Sequence, residues 1–190
     1  AVGGITYTNG LMLIEIMDHY DVSAGTASSV QATLEAMYGL GTLFAGLLLR
    51  KRGATATLLL GVAALFLSLI GSAAAPAWYY VWITHGFCAG TAISLVFVVG
   101  TAVPQEMFAK TNHLGLIAAV VSIGIPTGFS VAVPLLKHSF REHGWSRTWQ
   151  SFAVAEAGCI LVGALFATPF LCPRERARPG ADAATAATAA

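Results

Sequence analysis

The sequence predicts an all-α fold, a polytopic membrane bundle of six transmembrane helices. Three observations carry this expectation. Long apolar stretches alternate with short polar joints, 56% of the residues are hydrophobic against 10% charged, and the mean hydropathy is +0.73. A helix at the surface of a soluble protein keeps one polar, water-facing side, and these stretches have none.

A membrane-crossing helix needs about 20 mostly apolar residues to traverse roughly 30 Å of hydrocarbon. The first span is placed at 1–17. Its apolar stretch, Gly3 to Met17, is short and the chain opens on Ala1 rather than Met, so this helix is expected to be truncated at its N-terminal end. Spans at 28–49, 54–75, 79–103 and 114–136 reach the required length, and a sixth at 149–171 does so with Glu156 in its interior. Residues 1–173 thus form one six-helix domain. The remainder, 174–190, opens with Arg174, Arg176 and Arg178, passes Pro179 and Gly180, and ends in an Ala/Thr-rich run. That tail has too little apolar bulk to pack and is expected to be disordered.

The formal net charge of +1 gives no footprint for nucleic acid, but the distribution of basic residues orients the bundle. Arg50, Lys51 and Arg52 follow the second span, Lys110 lies between the fourth and fifth, and three arginines follow the sixth. The other side carries Lys137, Arg141 and Arg147, with Asp18 and Asp21 near the first joint. With six spans, the positive-inside rule places both termini in the cytoplasm, and the plasma membrane is the expected location. The first apolar stretch ends in Glu15 and Asp18 rather than at a small-residue cleavage site, so it does not read as a signal peptide.

Cys88, Cys159 and Cys172 show neither metal-ligand nor redox spacing, and an odd number argues against a disulfide framework. Cys88 and Cys159 read as small apolar fillers, and Cys172 lies at the membrane edge, where palmitoylation is one option. No P-loop, H-E-x-x-H, nucleophile elbow or dinucleotide fingerprint occurs, so neither an enzyme nor a bound metal or cofactor is expected.

The informative residues are then the polar ones inside spans, because they are costly to hold there and mark pathways or helix contacts. Glu35 is the sharpest, in the middle third of the second span. It is either a protonated carboxyl bonded to a neighbouring helix or a group facing a water-filled path, where it would be the proton-coupling residue. His85 in the fourth span and Glu156 in the sixth raise the same question closer to a membrane face, His85 as a proton relay or as a hydrogen-bonded packing residue near the outer surface. Tyr7, Asn9, Gln31 and Tyr38 add neutral hydrogen-bonding groups to the first two spans, either as a solute cavity or as glue between helices. Glycines at small-residue spacing, Gly86 and Gly90, Gly124 and Gly128, and the run Gly39, Gly41, Gly46, allow close helix contact. Pro104, Pro126 and Pro134 are expected to bend or end helices.

Several of these residues fall in an order that resembles the N-terminal half of a major facilitator transporter, and within that superfamily the monocarboxylate transporters. Glu15, Tyr20, Ser23 and Ser28-Ser29 are similar to the acidic, aromatic and hydroxyl sequence that joins the family's first two helices. Met37-Tyr38-Gly39-Leu40-Gly41 resembles its second-helix Met-Tyr-Gly-x-Gly. Gly124-Ile125-Pro126-Thr127-Gly128, then Pro134-Leu135 and Gly144-Trp145, resemble its fifth-helix and pre-sixth-helix elements.

The departures are as definite. Where the family loop reads G-x-x-x-D-R-x-G-R, this chain has Gly46 followed by Arg50, Lys51, Arg52 and Gly53, so the acidic gate position carries Arg50. Tyr7 falls near the place where proton-coupled members carry a first-helix lysine. The family's twelve-helix fold rocks two six-helix halves around a central cavity, so the resemblance implies that this half works against a C-terminal six-helix half or a second copy of itself. It implies alternating-access transport of small organic anions, monocarboxylates first, possible proton symport, and a solute-contacting role for Tyr38. The other reading is a membrane assembly partner that transports nothing, or a decayed half-transporter.

Overall fold

The computed structural model describes residues 9–109 and 114–176, and every regular element among them is helical. Tyr7, Lys110 and the tail from 177 onward lie outside the described residues. Helix α1 runs Asn9–Tyr20, α2 Ala24–Arg52 and α3 Ala54–Ala73. Helix α4 opens as Trp78–Val81, widens into a π-helical stretch at Trp82–Ala89 and continues as Gly90–Phe108, while α5 covers Leu114–Arg176. Among the described residues, four helices are long and apolar enough to cross a membrane: α2, α3, α4 and α5. The described part of α1 has 12 residues, about 18 Å of helix at the usual rise, which does not span the hydrocarbon.

The four-fold count and the expected six differ partly at Gly144. The 63 residues of α5 are continuous except there, where φ is 72° and ψ −176°. The Ser139 and Thr148 hydroxyls nevertheless lie 3.0 Å apart. Nine residues of unbroken helix would separate them by about 13.5 Å along the axis. The chain therefore folds back at Gly144 into two arms, 114–143 and 145–176. Glycine suits that position because it carries no Cβ to clash at positive φ. The joint expected over residues 137–148 is consequently this single residue, and Lys137, Arg141 and Arg147 sit on helix ends. Helical backbone persists through Pro126 and Pro134, and α4 continues past Pro104 to Phe108, so none of these prolines ends a helix.

At the other end of the bundle a second one-residue joint, Gly53 at φ 87°, closes α2 and opens α3. Its N–H donates to Leu49 O at 3.1 Å and its carbonyl accepts from the Thr57 hydroxyl at 2.7 Å. Arg50, Lys51 and Arg52 occupy the last turn of α2, where the helix dipole favours cations. Ser23 caps the start of α2, its Oγ accepting from Thr26 N at 3.3 Å.

The core joins Met12 and Ile16 of α1, Leu34 of α2, Leu65 and Leu69 of α3, Ile93 of α4, and Phe140 and Trp149 of the two α5 arms. Close approach of α4 to α2 depends on the predicted glycine pair. A Cβ on Gly90 would stand 2.6 Å from Leu34 O, and one on Gly86 3.1 Å from Val30 O. Gly41 is likewise packed, against Thr91 and Ser94 of α4. Gly39, Gly46 and Gly124 have no such neighbour among the described residues. The outward sides of α2 and α3 carry bare Leu43, Phe44 and Leu67, each more than two thirds exposed, a surface that fits hydrocarbon and not water.

Candidate functional site

Two groups of polar residues stand out. The first lies on the outward side of α2, where Gln31, Glu35 and Tyr38 follow one another at helical spacings of four and three residues and so share a face. Glu35 is exposed, and Gln31 Nε2 donates to its Oε1 at 3.4 Å. Tyr38 is half-buried with its ring edge-on to Phe97 of α4 at 5.4 Å, which fixes the ring against the bundle. Asn9 opens α1, and its side chain is outside the described residues. Gly124, Pro126 and Pro134 lie on the exposed side of the first α5 arm, with Gly128 half-buried beside them. Gly46, Arg50, Lys51 and Gly53 follow the same α2 helix to its end.

The second group is interior. His85 sits in the π-helical stretch and is 1% exposed, with neither ring nitrogen bonded. Its ring meets Trp149 of the second α5 arm edge-on at 4.8 Å. His85 is thus packed inside the bundle, with neither nitrogen bonded to another described residue. Glu156 is 5% exposed and its Oε2 has no partner. It shares a buried stripe with Trp149, Ala153 and Ile160, spaced four, three and four residues apart, which is the signal in the sequence that points Glu156 inward.

Above this interior an aromatic cap closes one end. The His19 ring lies parallel to Trp145 at 4.8 Å, and Tyr20 meets the same indole edge-on at 5.5 Å. Trp145 Nε1 donates to Ser72 O at 3.1 Å, and the Tyr20 hydroxyl donates to Ala75 O at 2.9 Å. Partial burial lowers the His19 pKa below 6.5 and raises that of Tyr20 to about 12, because desolvation penalises each charged form. Sequence reasoning singled out neither His19 nor Trp149. No group of three or more His, Cys, Asp or Glu among the described residues is placed to hold a metal ion.

The sequence matches the family described as Major Facilitator Superfamily over residues 1–189. The chain belongs to the Major Facilitator Superfamily. No individually curated protein matches it. The superfamily consists of membrane transporters, which accounts for apolar helices with no water-facing side and makes the chain an integral membrane protein. For a superfamily member the two polar groups differ in what they can reach. The α2 face is open to whatever adjoins the bundle, whereas the His85 group is enclosed by α4 and the second α5 arm.

Proposed function

We propose that this chain is a six-helix transporter half that moves small organic anions, monocarboxylates first, by alternating access with a coupled proton. The observation that carries the reading is the Gln31, Glu35 and Tyr38 face of α2, with its carboxylate turned out of the bundle. A carboxylate turned to hydrocarbon is expensive, so this face belongs on a hydrated cavity closed by a C-terminal six-helix half or a second copy. In that cavity the Tyr38 hydroxyl donates to the solute carboxylate, with Gln31, Asn9 and Tyr7 as further polar contacts, and Glu35 takes up the proton. Binding of solute and proton together then stabilises the closed intermediate between the two open forms. The bundle sits in the plasma membrane with both termini cytoplasmic.

Thiol accessibility tests this reading. Tyr38→Cys, in a chain with Cys88, Cys159 and Cys172 changed to Ser, is reconstituted in liposomes and treated with a membrane-impermeant maleimide. Labelling that pyruvate or lactate slows supports the cavity and its solute class. Labelling that no monocarboxylate slows rejects that class, and co-purification with another polytopic chain in that case favours a non-transporting assembly partner.

A further inference from the structure

The interior group poses a separate question, because it buries polar atoms that nothing in the bundle satisfies. His85 and Trp149 are each 1% exposed, and His85 Nδ1, His85 Nε2 and Trp149 Nε1 are all without hydrogen-bond partners. Their rings touch, with centroids 4.8 Å apart and planes at 63°, yet they do not bond to each other. Buried N–H groups and imidazole nitrogens are almost always paired, with protein or with ordered water. We propose that His85 and Trp149 hold an internal water molecule between α4 and the second arm of α5, a hydrated polar site distinct from the α2 face.

The donor and acceptor chemistry fits. Indole offers one donor and no acceptor, and neutral imidazole offers one of each. One water accepts from Trp149 Nε1 and donates to the unprotonated imidazole nitrogen, meeting two of the three needs at once. The remaining imidazole N–H needs a second water or a hydroxyl as acceptor, and α3 carries hydroxyls on the side that faces the π-helical stretch. The Ser72 hydroxyl is 2.8 Å from that of Thr84, the residue before His85, so this side of α3 faces the π-helical stretch. One turn earlier, Ser68 Oγ is also buried without a partner. Internal waters bind where two to four polar groups converge, and the unpartnered atoms on this side come from Ser68 of α3, His85 of α4 and Trp149 of the second α5 arm.

Local backbone geometry gives independent support. The π-helical stretch Trp82–Ala89 surrounds His85, and wide turns of this kind are frequent at functional sites. Gly86 and Gly90 hold this part of α4 against α2, so the His85 ring is directed by the backbone into the α3 and α5 side. The inference does not depend on which solute is carried, or on transport at all.

Hydroxyl-radical footprinting of the full chain in nanodiscs tests it, since radiolysis of a bound water oxidises the side chain beside it even when that side chain is buried. Trp149 is expected to be oxidised at a rate approaching that of exposed Tyr79. Heavy oxygen from a brief pulse of labelled water is expected to enter Trp149 later than Tyr79, because an enclosed water exchanges slowly. His85→Leu, which keeps bulk and removes both nitrogens, should lose most of the Trp149 oxidation, whereas His85→Gln, which keeps a donor and an acceptor, should retain it. A Trp149 protected from oxidation in the native chain overturns the proposal, as does oxidation unchanged in His85→Leu. If His85→Leu does not fold, the native pulse decides alone: heavy oxygen entering Trp149 without delay means access from bulk water, and the site is not there.

Discussion

The outward face of α2 and the interior beside Trp149 hold the same kinds of residue in opposite settings. On α2 a carboxylate is exposed, bonded along its own helix by Gln31, and accompanied by a half-buried tyrosine whose ring meets Phe97 edge-on. In the interior an imidazole, an indole and a carboxyl are enclosed and left with unpartnered atoms. The contrast separates two roles that composition alone confounds. A polar residue open at the bundle's edge is available to solute or to a second half, while one sealed inside governs how tightly the helices pack and whether the interior stays dry.

Mutations can break that distinction or sharpen it. Trp149→Ala removes the largest fully buried side chain among the described residues and should cost about 3–5 kcal/mol, seen as a large drop in the thermal unfolding midpoint of the purified chain. Gly90→Ala forces a methyl toward Leu34 O and should cost about 1–3 kcal/mol in the same assay. Tyr20→Phe deletes the donor to Ala75 O in the aromatic cap, with an expected loss of about 1 kcal/mol.

A weaker effect is expected from pH. His19 has a folded pKa below 6.5, so the unfolded chain takes up its proton first as pH falls. Its effect is absent above pH 6.5 and destabilises the fold as pH drops from there toward the folded pKa, and His19→Gln should flatten this part of the stability profile. The smallest change in stability is expected for Glu35→Gln, within about 0.5 kcal/mol of the native chain, because the residue is exposed. The same substitution should alter the pH dependence of monocarboxylate uptake. If Glu35→Gln unfolds the chain as readily as Trp149→Ala, the α2 face is structural and the comparison fails.

Much of the helical layout was legible because apolar length is a strong signal. The expected start at 54 is the first residue of α3, and the end expected at 49 falls one turn before Arg52. What composition could not show was the reach of the helices through polar sequence. Residues 137–143 and 145–148 look like a loop, yet they are good enough helix formers to continue both arms, so that one glycine makes the whole turn. The widening of α4 around His85 has no periodic signature, since it depends on how α4 packs against its neighbours. The enclosure of Glu156 and the exposure of Glu35 were not legible for a related reason. Position along a span speaks to depth in the membrane, whereas enclosure depends on which side of the helix a residue occupies, and the stripe from Trp149 to Ile160 turns Glu156 inward.

Gly53 sets a mechanical limit on the bundle. It alone separates α2 from α3, and one residue of extended chain reaches at most about 3.6 Å, less than the roughly 5.4 Å pitch of a helical turn. These two helices therefore cannot ratchet past each other by a turn at that end. They can swing about the tether like two boards sharing a pin, or travel as one piece, and any opening of the bundle there has to be a pivot rather than a slide.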